Sequence, residues 1–228
     1  RKMAEIPLFL YGTAGDVNVI WTHSREERDK NLEWISESYT NDLQTALDEC
    51  EEIPLFKVNS VLRSVEFPTE KVDPAEYRTI AAKLQEKAEQ GVGDVKLLNF
   101  IHDRMIEMAV MAERGHDFRV IRDLQIVRMG ELEIFAIPGE AFLVIGEELM
   151  KRASVKFPLA LSVANGDSGY FPDKEMFARY PSVYDSDDFG AFGFYEVWFG
   201  PGQLRPKFKP EISSFIVEKL LELEKELD

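Results

Sequence analysis

The sequence predicts an α/β fold, with a mixed sheet flanked by helices, and two observations lead to this prediction. Short apolar runs alternate with amphipathic helical patterns along the 228 residues. In addition, an apolar run at residues 134–137 ends at Pro138-Gly139, and a helical pattern begins at Glu140. A second apolar run follows at residues 159–163. This order is typical of a β-α-β unit. In an open α/β sheet, ligands bind at the loops that follow such strands.

The first part of the chain predicts a strand, a loop and a long helix. Residues 7–11 form a short apolar strand, and a Gly-rich loop follows at residues 12–16. Nucleotide binding is disfavoured because this loop lacks the Lys-Ser/Thr pair of a nucleotide loop and no helix follows it at once. Ser24 and Glu27 form a capping box for the helix. The helix runs to about Glu51, and its predicted buried face contains Leu32, Ile35, Tyr39, Leu43, Ala46 and Cys50.

The rest of the chain continues the alternation of strands and helices. The predicted elements are a strand at residues 55–67, helices at 73–91 and 95–114, a β-hairpin of 118–128 with 132–137, and a final helix at 211–227. Residues 171–210 are aromatic, Gly-rich and acidic, and segments of that length are usually functional or mobile. We expect residues 171–199 to wall a substrate channel. No internal repeat or linker divides the chain, so residues 1–228 are predicted to form one unit.

Composition excludes several classes of function. The net charge is −15, from 42 acidic and 27 basic residues, and no Lys/Arg cluster offers a surface for nucleic acid. The same charge argues against docking on an anionic membrane surface. No apolar run approaches the length that spans a bilayer.

Cysteine and histidine usage predicts no complete metal site within the chain. The single Cys50 excludes an internal disulfide and a thiolate cage, and we expect it to be a buried structural thiol. The three His form no metal motif among themselves, and His23 alone lies near the presumed site. The acidic cluster at residues 185–188 lacks the Gly and the terminal Glu of an EF-hand loop, so a solvated loop is expected there.

Glu140 and Tyr170 are the two candidate site residues that the β-α-β unit itself suggests. They would be carried by the loops after its two strands and could face one another across a cleft. Each also has a structural interpretation. A Glu in the first turn of a helix favours the helix dipole, and a Tyr after Asn-Gly-Asp-Ser-Gly can anchor a turn.

Four short motifs occur in a fixed order along the chain. They are Gly12-Thr13-Ala14-Gly15-Asp16-Val17-Asn18 after an apolar strand, Pro138-Gly139-Glu140, Asn165-x-x-x-x-Tyr170, and Tyr195-Glu196 with Phe199-Gly200-Pro201. Together they resemble the second half of the catalytic domain of the neutral ceramidase family, the neutral/alkaline, non-lysosomal enzymes. The resemblance extends in patches from about Pro7 to about Pro201.

This resemblance implies a zinc-dependent amide hydrolase of sphingolipid metabolism. The family cleaves the amide bond of ceramide-like lipids with one zinc ion held by two His, one Glu and one Tyr. Its Glu corresponds to Glu140 and its Tyr to Tyr170, whereas the two His would precede residue 1. The chain would then be the C-terminal half of a larger domain, and the N-terminal half of the same domain would be its partner.

The chain departs from the family at Asn18. Active members have Gly-Asp-Val-Ser-Pro-Asn, with the Ser needed for activity, but here Asn18 replaces the Ser and Val19-Ile20 follows. A side-chain amide cannot act as the nucleophile of an acyl-enzyme route, although it can donate a hydrogen bond to a developing oxyanion. Asp16 is the candidate for orienting or deprotonating an attacking water. Alternatively, its side chain stabilises its own loop by an Asx-type hydrogen bond to the nearby backbone.

The function that follows is hydrolysis of an N-acyl lipid-like amide by metal-activated water. Asn18 motivates two alternatives. One is a non-catalytic, ceramidase-like binding or scaffold domain. The other is a zinc hydrolase that acts on a different amide or ester.

Overall fold

The computed structural model describes residues 9–18, 24–50, 52–181, 194–198 and 204–227. Within these ranges the strands are β1 (Val58–Phe67), β2 (Val120–Met129), β3 (Leu132–Ala136), β4 (Glu140–Ala141), β5 (Phe157–Leu161) and β6 (Tyr170–Phe171). The helices are α1 (Arg25–Glu49), α2 (Pro74–Glu89), α3 (Val95–Glu113), α4 (Leu143–Arg152), α5 (Lys174–Arg179), α6 (Phe194–Trp198) and α7 (Ile212–Glu224). The predicted α/β class is confirmed.

A mixed four-stranded sheet has the order β1-β2-β3-β5. β1 and β3 each pair antiparallel with β2, whereas β3 and β5 run parallel and are connected by α4. The predicted hairpin and the predicted β-α-β unit are therefore both present. The hairpin turns at Gly130, whose positive φ of 65° suits a residue without a side chain. β4 and β6 form a separate two-stranded parallel pair.

Local capping explains where three of the helices begin. The side chain of Ser24 accepts a hydrogen bond from the Glu27 amide at the start of α1. Asp73 caps α2, which has Pro at its first position, and Asp94 caps α3. These residues satisfy amide groups that have no partner inside the helix. None of the described helices is long and apolar enough to cross a membrane.

The inner face of the sheet, meaning the side that the helices cover, carries the core. α7 packs on β1 and β2, and α4 packs on β5 and α7. The buried apolar residues of this face are Val61, Phe67, Val120, Leu124, Ile126, Phe135 and Ala160. Phe67 also contacts the rings of Phe171, Phe208 and Phe215, with centroids 5.5, 6.1 and 5.9 Å away. This aromatic cluster joins β1, β6 and α7.

An ionic cluster lies within the inner face. Glu133, which is fully buried, accepts a hydrogen bond from Arg128, and Arg128 lies 3.6 Å from Glu224 of α7. Glu224 in turn accepts hydrogen bonds from the amide and hydroxyl of Ser154. Burial raises the pKa of Glu133, the Arg128 hydrogen bond and charge oppose that shift, and Glu224 adds to it. The cluster fixes the C-terminal helix to the sheet.

The outer face of the sheet is also largely apolar but is less covered. Its apolar residues are Val58, Leu62, Ile121, Val127, Met129, Leu132, Ile134, Phe157, Leu159 and Leu161. Four of these have exposed side chains: 67% of Val58, 45% of Leu62, 47% of Ile121 and 37% of Leu159. The others are half-buried. Among the described residues, this face therefore lacks a complete second layer.

The predicted buried face of α1 is wrong for this structure. Leu32, Tyr39 and Leu43 are exposed, and so is Cys50, which was expected to be a buried thiol. The physical reason is that the hydrophobic core, as far as it is described, includes no residue of α1. The periodicity indicated which residues share a face of the helix, but most of that face is exposed and it contributes nothing to the described core.

Three predicted boundaries also differ from the structure. Residues 9–11 are not in a strand, although the Tyr11 carbonyl accepts a hydrogen bond from the Ser162 amide at 3.0 Å. β1 begins at Val58 rather than at residue 55, because Lys57 has a positive φ of 47° that interrupts extended backbone. Glu140 lies in β4, whereas it was expected in the first turn of a helix. His23 and residues 185–188 lie outside the described residues.

Candidate functional site

Glu140 and Tyr170 lie side by side on the short parallel strands β4 and β6. They are direct partners in the pairing register, and the Glu140 amide donates to the Gly169 carbonyl at 2.8 Å. Partners on adjacent strands project to the same side. The two side chains interact electrostatically, since the charge of Glu140 raises the pKa of Tyr170. The two residues that the sequence placed on separate loops are therefore in contact.

Close backbone packing makes this contact possible. Gly139 approaches the neighbouring strand so closely that an added methyl group would lie 2.6 Å from the Gly169 carbonyl oxygen. Gly169 itself has a positive φ of 73°. The buried hydroxyl of Ser162 accepts a hydrogen bond from the Ala141 amide at 3.2 Å. The Pro-Gly break and the Gly before Tyr170 thus allow two chain segments to approach at backbone distance.

The Gly-rich loop at residues 12–16 docks against β4. The Gly15 amide donates to the Ala141 carbonyl at 2.9 Å, and a methyl group at Gly15 would lie only 2.5 Å from the Glu140 carbonyl oxygen. Thr13 packs against Gly146 of α4, where a methyl group would lie 2.2 Å from its hydroxyl oxygen. Two of the sequence motifs therefore meet at Glu140.

Asp16 caps helix α4 across this junction. Its carboxylate accepts a hydrogen bond from the Leu143 amide at 2.7 Å, while Phe142, the residue at the cap position, offers no side-chain acceptor. This capping contact joins Asp16 to a distant segment of the chain, whereas the sequence had suggested a contact within its own loop. Asn18 lies two residues further on and is exposed. The catalytic roles of Asp16 and Asn18 remain predictions.

The Tyr195-Glu196 part of the fourth motif also lies at this site. The Tyr195 ring meets the Tyr170 ring edge-on, with centroids 5.8 Å apart and an interplanar angle of 72°, and its neighbour Glu196 is buried. The sequence predicted no individual role for either residue beyond a place in the expected channel wall. Their place in the motif order was the only signal for them. The remaining part of the expected channel wall, residues 182–193 and 199, lies outside the described residues.

The site is acidic and partly dehydrated. Burial raises the pKa of Tyr170, and the charge of Glu140 and the hydrogen bond to it add to that shift. Burial likewise raises the pKa of Glu140, with the Tyr170 hydrogen bond opposing the shift and the charge of Asp167 adding to it. The pKa of Tyr195 is raised by burial and by Glu140, Glu196 and Asp167. A bound cation would lower all three pKa values.

The donor chemistry fits a metal ion that needs further ligands from elsewhere. Glu140 offers a carboxylate oxygen and Tyr170 a phenol oxygen on the same side of the β4–β6 pair. Zinc accepts oxygen ligands, and its sites generally use three or four protein ligands. The described residues contain no group of three or more His, Cys, Asp or Glu side chains that could hold a metal ion. The described part of the site therefore offers two donors.

The fold and the site define an α/β protein with an acidic Glu-Tyr pair on two short parallel strands. No family model matches the chain, and no curated protein matches it. Over part of its length the chain is similar to solved ceramidase structures. A ceramidase complexed with C2 is 18% identical, with 47% of this chain and 15% of that chain covered and a TM-score of 0.32. The neutral ceramidase from Pseudomonas aeruginosa is 15% identical, with coverages of 79% and 30% and a TM-score of 0.42.

The matches cover only 15% and 30% of the two ceramidase chains, so this chain spans less than a third of the length of either one. Likeness at this level identifies neither an activity nor a site residue.

Proposed function

We propose that this chain is part of a zinc-dependent amide hydrolase and that Glu140 and Tyr170 are two of its zinc ligands. The observation that carries the proposal is that Glu140 and Tyr170, which both have oxygen donors, are direct partners on paired strands. It is supported by the neighbouring motifs, since the Gly15 loop and Tyr195 both meet this pair. The described parts of the motifs that resemble the neutral ceramidase family in sequence therefore lie near one another, around Glu140 and Tyr170.

The chain's own residues would bind and orient the ion. Glu140 would contribute a carboxylate and Tyr170 a phenolate, whose proton must leave before the oxygen can ligate. A zinc ion bound there would supply Lewis acidity and lower the pKa of a water molecule towards neutrality. Asp16, held at the start of α4 by the Leu143 amide, would orient or deprotonate the attacking water from the adjacent loop. Asn18 would donate a hydrogen bond to the oxyanion.

The missing ligands in this proposal are two His from an N-terminal half of the same domain. Two surfaces of the described structure support such a partner. The outer face of the sheet and the apolar side of α1 both leave large hydrophobic residues exposed, including Val58, Leu62 and Leu32. Exposed apolar surface of this extent marks an interaction site. The residues 1–228 would then be one unit of a larger catalytic domain.

The proposed substrate is an N-acyl lipid-like amide, because the sequence resembles a family that cleaves the amide bond of ceramide-like lipids. Asn18 supports two other candidates. A scaffold or binding domain is favoured by the absence of a nucleophile at this position and by the capping hydrogen bond of Asp16. A zinc hydrolase of another amide or ester also accommodates Asn18 and keeps the Glu140–Tyr170 pair.

A hydrolysis assay on the full-length protein with zinc tests the proposal. Asn18→Ala should lower the rate by at most about 10²–10³-fold, the value of one oxyanion donor. Glu140→Ala should cost far more, because it removes a ligand and leaves the ion mispositioned. Asn99→Ala, at an exposed position of α3, is the matched control and should have no effect.

Asn18→Ser sharpens the same assay. It should keep or raise activity towards ceramide if the rest of the site is ceramidase-like. If neither the native protein nor this variant cleaves any amide or ester with zinc bound, the scaffold interpretation is correct. A covalent acyl adduct on any residue of the native protein would exclude attack by water.

A further inference from the structure

Two arginines from distant parts of the chain converge on Ser168. Arg205, in the segment before α7, donates from Nε to the Ser168 carbonyl oxygen at 2.9 Å. Arg122, on β2, donates from Nε to the Ser168 hydroxyl at 2.6 Å. Ser168 is 1% exposed and Arg205 is 6% exposed. Both the backbone and the side chain of this serine are therefore held from the interior of the protein.

The held residue immediately precedes the site. Ser168 is followed by Gly169, whose carbonyl accepts the Glu140 amide and whose own amide donates to Asp167 at 2.8 Å. Tyr170 comes next and pairs with Glu140. A shift of Ser168 would move the Gly169 carbonyl and, with it, the register between Tyr170 and Glu140.

Burial of the Arg205 guanidinium costs more free energy than burial of an apolar side chain of similar size. Arg205 stacks its guanidinium over the Phe208 ring at 3.9 Å and also donates to the Pro206 carbonyl at 3.0 Å. Burial, together with the like charge of Arg122, lowers the pKa of Arg205 to about 9, and the charge of Asp167 opposes that shift. Burying a guanidinium near a second cation is unfavourable unless hydrogen bonds and opposite charge compensate it, and here the Ser168 and Pro206 carbonyls and the charge of Asp167 do so. An apolar side chain could cover Phe208 without that cost.

We propose that Arg205 and Arg122 are positioning residues that hold Ser168 so that Tyr170 lies beside Glu140. They act through Ser168 and Gly169 and do not themselves contact metal or substrate. The positioning role stands on the geometry of the metal-free protein. Only its consequence for zinc affinity rests on the proposed function.

The test compares Arg205→Met with native full-length protein by hydrogen exchange and zinc titration. Exchange at the Glu140 amide should rise on the order of 10–100-fold in the zinc-free variant, as for loss of a hydrogen bond to a charged group. Amides of α2 and α3 should be unchanged. Zinc affinity should fall by roughly 10–100-fold. Arg205→Lys, which keeps a donor and the charge, should recover part of both losses.

Arg78→Met is the matched control, since Arg78 forms an exposed ion pair with Glu113 between α2 and α3. The proposal is overturned if Arg205→Met matches this control in both measurements. It is also overturned if exchange rises equally in α2 and α3, which indicates general destabilisation. If native protein binds no zinc but Arg205→Met still loosens the Glu140 amide selectively, the proposed function fails and the positioning role stands.

Discussion

The two faces of the same sheet differ in how far they are covered, although both are apolar. On the inner face, Phe135 and Leu124 are fully buried beneath the helices, whereas on the outer face Leu62 and Ile121 are nearly half exposed. Strand alternation places Leu124 and Ile121, which are three positions apart on β2, on opposite sides of the sheet. An apolar pattern on both faces is typical of a sheet covered by layers on each side. This difference is the basis for the proposal that a further layer covers the outer face.

This comparison connects the fold to the site. The motif residues lie where β4, β6 and the Gly-rich loop meet, and this junction supplies two oxygen donors. A partner layer over the outer face and α1 is also where the proposal expects the remaining ligands to originate. The uncovered surface and the incomplete ligand set therefore lead to the same proposed partner.

The largest expected effect is on the inner face. Phe135→Ala removes a fully buried ring from the core and should lower the free energy of unfolding by about 3–5 kcal/mol. Urea unfolding of the 228-residue chain, followed by circular dichroism, measures it. A loss below about 1 kcal/mol would mean that the inner face is not the core.

A smaller effect is expected on the outer face, and it should depend on the partner. In full-length protein, Leu62→Ala should cost about 2–3 kcal/mol, because a covering layer would bury that side chain. In the 228-residue chain, where Leu62 is 45% exposed, the same change is the control and should stay within about 0.5 kcal/mol. Equal costs in the two proteins would show that the outer face is not an interface.

The smallest effect concerns pH and the buried ionic cluster. Because burial raises the pKa of Glu133 above its ordinary value of 4.5, the folded state holds the proton more tightly than the unfolded state. Relative to Glu133→Gln, native protein should therefore lose stability as the pH rises from about 4.5 through the raised pKa, with no further change above it.

Melting temperatures of the two proteins between pH 4 and 8 test the sign of this dependence. Arg128 limits its size, since its charge and hydrogen bond oppose the shift in the Glu133 pKa. A difference that moves in favour of native protein with rising pH would show that the Arg128 pair outweighs burial.

Local patterns predicted most of the elements and the pairing of the two candidate ligands. Capping residues such as Ser24 and Asp73 act within a few positions, so they can be recognised directly. The approach of Glu140 to Tyr170 followed from the β-α-β unit, because the loops after neighbouring strands meet at one edge of a sheet.

The errors came from contacts between distant residues. The helix after Glu140 begins at Leu143, where Asp16 supplies the cap from far along the chain. The Arg205 contact with Ser168 is similarly remote and has no local signature. For α1, the spacing of Leu32 and Tyr39 identified an apolar face, but periodicity does not reveal what covers it.

Zinc binding tests the central proposal most directly. Metal analysis and zinc titration should be carried out on full-length protein, its Glu140→Ala and Tyr170→Phe variants, and the 228-residue chain. Glu147→Ala, at an exposed position of α4, is the control. We predict one zinc ion per full-length protein, weaker binding in both site variants, native binding in the control, and weak or no binding by the 228-residue chain. Tight stoichiometric zinc in the 228-residue chain, or undiminished binding after Glu140→Ala, would contradict the proposal.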